Sequence, residues 1–256
     1  MIRKVVLAAL TAATLTVPAA RAAAQGAADY VAQGNAAHEA RNAPEALRVY
    51  DRALALEPRN YEALWRAARS GIDLGEYEPS ATRQAAFFKT AEERARLATE
   101  INAADANGHF TLARALGRKA LSLGVRDRVR YAGAVREQAL DCLARDAGLA
   151  GCLDIMGVWN AEVMRLGGFQ RMIARNFLGG KVFGEASWAN ARKNLEAATN
   201  AEPRRIIHRL DLARVYADMN LKSQARAQFQ AVIDGELIDY NDPHYKAEAA
   251  AELKRL

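Results

Sequence analysis

A chain of 256 residues is long enough for a sizeable core. Its 51% apolar content, abundant alanine and only six prolines favour helix over sheet. The formal charge of +6 is modest and no lysine–arginine block with interleaved aromatics accompanies it, so nucleic-acid binding is not expected. The first element in chain order is a secretory signal peptide over residues 1–24. "MIRK" gives the basic start, "VVLAALTAATLTV" the apolar run, and "AARAAAQ" follows Pro18. Cleavage is expected after Ala22 or Ala24, which removes Arg3, Lys4 and Arg21 and leaves 33 basic against 30 acidic residues. The apolar run is shorter than the roughly 20 residues of a spanning helix, so no stable membrane insertion is expected after cleavage. The expected location is periplasmic or secreted.

Residues 25–256 read as one helical-repeat domain. An apolar pattern with offsets 0, 3, 4 and 7 marks a helix face. It occurs as Tyr30-Gln33-Gly34-Ala37, Leu64-Ala67-Ala68-Gly71, His109-Leu112-Ala113-Leu116, Leu153-Met156-Gly157-Asn160 and Arg209-Leu212-Ala213-Tyr216. Its third place always holds Gly or Ala, which lets a neighbouring helix come close. A second pattern, offsets 0, 4, 7 and 12, occurs as Ala46-Tyr50-Ala53-Pro58 and Ala191-Leu195-Ala198-Pro203, and without the proline as Ala225-Phe229-Val232. A large residue between two small ones fills the gap beside them, and the proline ends the helix.

The stretches "YVAQGNAA", "APEALRVYDRALALEP", "AATNAEP" and "LARVYADMNLKSQARAQF" resemble the tetratricopeptide (TPR) repeat, a pair of antiparallel helices. The fold class expected is an all-α, irregular TPR-like solenoid of about five helix pairs with a C-terminal capping helix. First-helix spacings of 34, 45, 44 and 56 residues place lengthened hairpins in two units and extra chain in the next. An inserted helix and loop are expected at about 167–187. "FQRMIARNFL" reads as the added helix, Gly179-Gly180 as a turn, and Ser187 as the N-cap of the helix after it. Asp242 is expected to cap the last helix, with Pro243 at its first position. "GCLDIMGVWNAEVMRLGGF", "FLGGKVFGEASW" and "LDLARVYAD" are similar to bacterial relatives of the regulator-of-microtubule-dynamics family. The family name implies microtubule association in eukaryotic members. No matched residue here accounts for tubulin binding, and an exported bacterial protein would not meet tubulin.

Catalytic and metal motifs do not emerge. Gly180-Lys181 is followed by Val182 and preceded five places back by Arg175, so it is not a phosphate loop. His38, His109, His208 and His244 show no metal-ligand spacing. No cofactor, no metal and no enzymatic activity are expected. Cys142 and Cys152, ten apart, suit a structural disulfide or two buried thiols rather than a redox motif.

In a helical-repeat solenoid the first helices line the concave face. Places one and five after the start of the first pattern point into it: Val31 and Asn35, Trp65 and Arg69, Phe110 and Arg114, Asp154 and Val158, Leu210 and Arg214. Three units repeat a large apolar residue followed four later by arginine, an arrangement suited to an acidic or carboxylate-bearing peptide. The candidate groove residues are Asn35, Trp65, Arg69, Phe110, Arg114, Asp154, Leu210 and Arg214. The competing reading pairs these arginines within the scaffold, with Asp73, Glu100 or Asp218. Asn35 also fits the asparagine of a TPR carboxylate clamp, but Val31 stands where its lysine would be. On the groove reading, Arg69→Ala combined with Arg114→Ala weakens partner capture and leaves melting unchanged. Two alternatives to peptide binding are a small-molecule or enzymatic pocket around residues 159–188, near Trp159, Glu162 and Arg165, and a self-assembling structural module.

Overall fold

The computed structural model describes residues 26–167 and 180–256. The signal segment and "FQRMIARNFL" lie outside the described residues. Eleven α-helices and one 3-10 turn make up the described chain, with no strand among them. The helices are α1 (Ala27–Glu39), α2 (Ala43–Leu56), α3 (Tyr61–Glu76), α4 (Ala81–Ile101), α5 (Ala106–Leu121), α6 (Val125–Arg145), α7 (Ala150–Arg165), α8 (Trp188–Ala201), α9 (Ile206–Asp218), α10 (Lys222–Asp234) and α11 (Asp242–Leu253). The 3-10 turn, Gly180–Glu185, precedes α8. Consecutive helices pack as five antiparallel pairs, and α11 caps the last. No described helix is long and apolar enough to cross a membrane.

The repeat patterns explain the pairing. The small third place of the first helix receives the large residue of the second. Tyr50 of α2 lies over Gly34 of α1, where a Cβ would come within 2.3 Å of its ring. Leu195 of α8 lies over Gly157 of α7 in the same way. Phe229 and Ala213 share the α9–α10 core. The ten- and eleven-residue excesses lengthen the second helices: α4 and α6 have 21 residues each, against 14 in α2 and α8.

Short polar side chains start the helices. Asn42, Asn60, Ser80, Asp105 and Ser187 each accept a hydrogen bond from a first-turn N–H. Asp242 does not do so. Asn241 is the cap position, and Asp242 turns its carboxylate back to accept from the N–H groups of Ile238 and Asp239, both at 2.7 Å. Helices α1 and α9 end alike. Arg41 and Asn220 adopt φ of 58° and 60°, and the next residue donates back to a carbonyl five places earlier. Glycine usually takes this position, but the Arg41 side chain reaches the Leu237 carbonyl at 3.0 Å.

That last bond belongs to a closure of the whole array. The C-terminal segment meets α3. Asn241 donates to the Asp73 carbonyl at 3.0 Å, Tyr245 to Glu76 at 3.0 Å, and Tyr77 to Glu248 at 2.8 Å. Tyr77 also stacks on His244 with ring centres 4.0 Å apart. The solenoid therefore curls until its cap touches its second unit, and the concave face becomes a cavity. Cys142 and Cys152 form a disulfide that ties α6 to α7. Phe183 of the 3-10 turn stacks on Trp159 at 6.0 Å, which seats the chain before α8 on the core.

Candidate functional site

The concave cavity encloses about 410 Å³. Helices α3, α5, α7 and α9 form its wall, and Arg205 and the 239–245 segment close one side. Of the eight candidate groove residues, Trp65, Arg69, Phe110, Arg114, Asp154 and Arg214 line it. Leu210 does not: it is fully buried in the α9–α10–α11 core. Nor does Asn35, which accepts a hydrogen bond from the Tyr50 hydroxyl at 2.8 Å. Val31 is buried as well, between α1, α2 and α3.

The apolar part of the wall includes Trp65, Phe110, Val158 and Trp159. Phe110 fills the space over Gly151, where a Cβ would come within 2.3 Å of its ring. The Trp159 indole donates to the Ala132 carbonyl at 2.8 Å, which fixes its plane.

The charged part divides into paired and unpaired groups. Arg114 lies 2.7 Å from Asp73 and 3.5 Å from Glu76. Arg118 also reaches Glu76, at 2.7 Å. Burial works against the Arg114 charge, but Asp73 and Glu76 more than offset this and hold its pKa well above the usual range. Arg214 is held by Asp211, Glu248 and Glu252 at 3.4, 2.7 and 2.6 Å, and Arg165 by Glu162 and Asp218, both at 2.6 Å. Of the carboxylates named as partners for the groove arginines, Asp73 does pair with Arg114, whereas Asp218 pairs with Arg165 instead. Arg69 differs. It has no salt bridge among the described residues, its Nε and Nη2 are buried without a hydrogen bond, and burial lowers its pKa. The Trp65 ring centre lies 5.3 Å from its guanidinium carbon.

His208 of α9 is buried between Asp154 of α7 at 2.8 Å and Glu202 at 3.5 Å. Burial alone would discharge it, but the Asp154 carboxylate, the hydrogen bond to it and the neighbouring Glu202 carboxylate raise its pKa to about 9. It is therefore a cation that links α7 to α9. A folded pKa above the unfolded value of 6.5 stabilises the fold fully below pH 6.5, and that contribution fades as pH rises through about 9. Denaturant unfolding should lose on the order of 2 kcal/mol across this window, and His208→Gln should flatten that part of the profile. An unchanged slope in the variant would show that His208 is not the group responsible.

The sequence patterns did not point to His38, Glu76, Arg118, Arg205, Asn241 or Tyr245 as residues of the site, and they offered Asp73 only as a partner for the arginines. Glu76 lies two turns beyond Arg69 on the same helix as Asp73, so a register search could have reached it. The groups from residues 205 and 239–245 arrive only because the array closes. No group of three or more His, Cys, Asp or Glu side chains among the described residues is placed to hold a metal.

The geometry is that of known helical-repeat proteins. A thermophilic TPR protein of Thermus thermophilus superposes with a TM-score of 0.64 at 19% identity, over 88% of this chain and 100% of that one. PilF of Pseudomonas aeruginosa gives 0.48 at 16% identity, over 90% of each chain. YrrB, a TPR protein with an unusual peptide-binding site, gives 0.44 at 13%, over 90% of this chain and 92% of its own. No curated protein matches the chain in sequence. The family described as regulator of microtubule dynamics protein 1-3 matches residues 27–256, all the repeats and the cap, and this TPR-like solenoid belongs to that family.

Proposed function

We propose that the chain is an exported, non-catalytic scaffold that holds a protein or peptide, of acidic character, in the cavity on its concave face. One observation carries this reading: Trp65, Phe110 and Arg69 share the cavity wall, as apolar platforms beside a cation with two unbonded nitrogens and no salt bridge among the described residues. Such a surface offers apolar burial and charge-assisted hydrogen bonds together. The other titratable groups of the wall largely hold one another, which supports a structural role for them over acid–base chemistry. Export is supported by the apolar run before Pro18 and by the Cys142–Cys152 disulfide, a bond that oxidising compartments maintain. A second reading, a small-molecule pocket, draws on the same cavity, which extends to Trp159, Glu162 and Arg165 and falls within the size range of small-ligand sites.

Gly117 of α5 supplies the test. It lines the cavity, and a Cβ built there meets nothing within 4 Å. Gly117→Leu should fill the cavity without disturbing the core, and should raise helix stability by up to about 1 kcal/mol. The expected result is unimpaired melting with loss of the proteins retained by the wild-type chain from an envelope extract. Equal retention by Gly117→Leu would move the partner surface off the concave face.

A further inference from the structure

We propose that the Arg69 corner of the cavity is a carboxylate-binding subsite for a compact apolar ligand, bound with its body against Trp65 and Phe110. The proposal rests on the concave-face reading above and narrows it to one anchor and one ligand chemistry.

Charge pairing singles out the anchor. Seven arginines line the cavity. Six lie within 4.0 Å of a carboxylate of the protein itself. Arg69 is the exception among the described residues, and two of its guanidinium nitrogens are buried and unbonded. A buried guanidinium without a counterion is costly, because water is gone and nothing replaces it. The Trp65 face relieves part of that cost. Asp73 and the Tyr50 side chain offset a further part, but burial still outweighs them, and the Asp73 carboxylate is bonded to Arg114 at 2.7 Å. An anion from outside completes the site, and the planar fork of arginine matches a carboxylate best.

The neighbours of Arg69 suit that ligand. His38 of α1 faces the same corner. Burial and the Arg69 charge lower its pKa to about 4, so it is neutral near pH 7 and can donate one N–H to a carboxylate oxygen. Arg205 and Asp239, on the far side of the corner, lie 3.3 Å apart and offset each other. Trp65 and Phe110 then offer apolar area to the ligand body. A volume of about 410 Å³ fits a ligand of small-molecule size. Free carboxylic acids and the C-terminal end of a protein both present this chemistry.

The test compares N-acetylphenylalanine with its amide, which share a body and differ in charge, by calorimetry on the full chain. The acid should bind about 10-fold or more tighter than the amide, and Arg69→Gln should reduce that preference to about 2-fold or less. The His38 ring resonances should titrate at higher pH in the acid complex, because the bound anion cancels the field of Arg69. Equal affinity for acid and amide in the wild-type chain overturns the subsite, as does absence of binding by both, however Arg69→Gln folds. A ten-residue peptide ending in phenylalanine, free or amidated at its C-terminus, separates the sources. Acid preference in both probes identifies a protein end, and preference in the small acid alone identifies a free carboxylic acid. If the acid preference is absent while Gly117→Leu still abolishes partner retention, the subsite fails and the concave-face reading stands. If Gly117→Leu also retains the partner, both fail.

Discussion

Arg114→Ala is expected to destabilise the protein by about 3 kcal/mol, the lower end of the range for removing one partner of a buried pair. At this chain length that corresponds to a fall in melting temperature of roughly 6–12 °C. The loss does not stop at one ion pair. Among the described residues, Asp73 would lose its one salt bridge and Glu76 would keep Arg118 alone. Both residues also hold the C-terminal segment, through the Asp73 carbonyl to Asn241 and the Glu76 carboxylate to Tyr245. Arg114→Lys should recover only part of the loss, since an ammonium cannot address both carboxylates with the arginine fork. Urea unfolding of Arg114→Ala, Asp73→Asn and the double variant gives the coupling directly. An unchanged midpoint in Arg114→Ala would remove this pair from the stability of the fold. Arg114 lines the cavity as the sequence led one to expect, but its pairing with Asp73 and Glu76 means that Arg69→Ala with Arg114→Ala should lower the melting temperature rather than leave it unchanged.

Gly157→Val should be of similar size, about 3 kcal/mol, through overpacking. A Cβ at Gly157 comes within 2.4 Å of Leu195 Cγ and 3.1 Å of the Ala191 carbonyl. Leu195 is fully buried, so it cannot swing aside into solvent, and the carbonyl belongs to the backbone of α8. Helices α7 and α8 would have to separate, which spreads the damage to Leu212 and Val215 in the same cluster. Thermal melts of Gly157→Val beside Gly117→Ala make the contrast sharp. The first should fall, and the second should rise slightly because it gains helix propensity and meets nothing. A wild-type melt for Gly157→Val would refute the close approach of these two helices.

The same pair shows why the fold could be read from the sequence. The small place of the first pattern and the large place of the second are two halves of one contact. Gly34 with Tyr50 and Gly157 with Leu195 encode it locally, within about forty residues. Alanine content, the caps at Asn42 and Ser187, and the proline stops add to this consistency. The cavity wall was only partly legible. Trp65, Arg69, Phe110 and Arg114 follow from helix periodicity, which orients side chains around each first helix. Periodicity says nothing about how far successive pairs rotate. Leu210 was misplaced for that reason: its register is the same as that of Trp65, but the C-terminal cap covers it. The partners of Arg214 were hidden for a related reason, since Glu248 and Glu252 reach it from the capping helix.

Closure also changes how the chain has to be made. An open array of repeats can settle unit by unit, each resting only on its neighbour. Here Tyr77 finds Glu248 across 171 residues of sequence, and Arg41 finds Leu237 across 196. The second unit waits for Asn241, Tyr245 and Glu248 before its own polar contacts are complete. During synthesis it should therefore remain loosely held, and it should tighten only when the capping helix has emerged. A protein of this kind can be finished only as a whole.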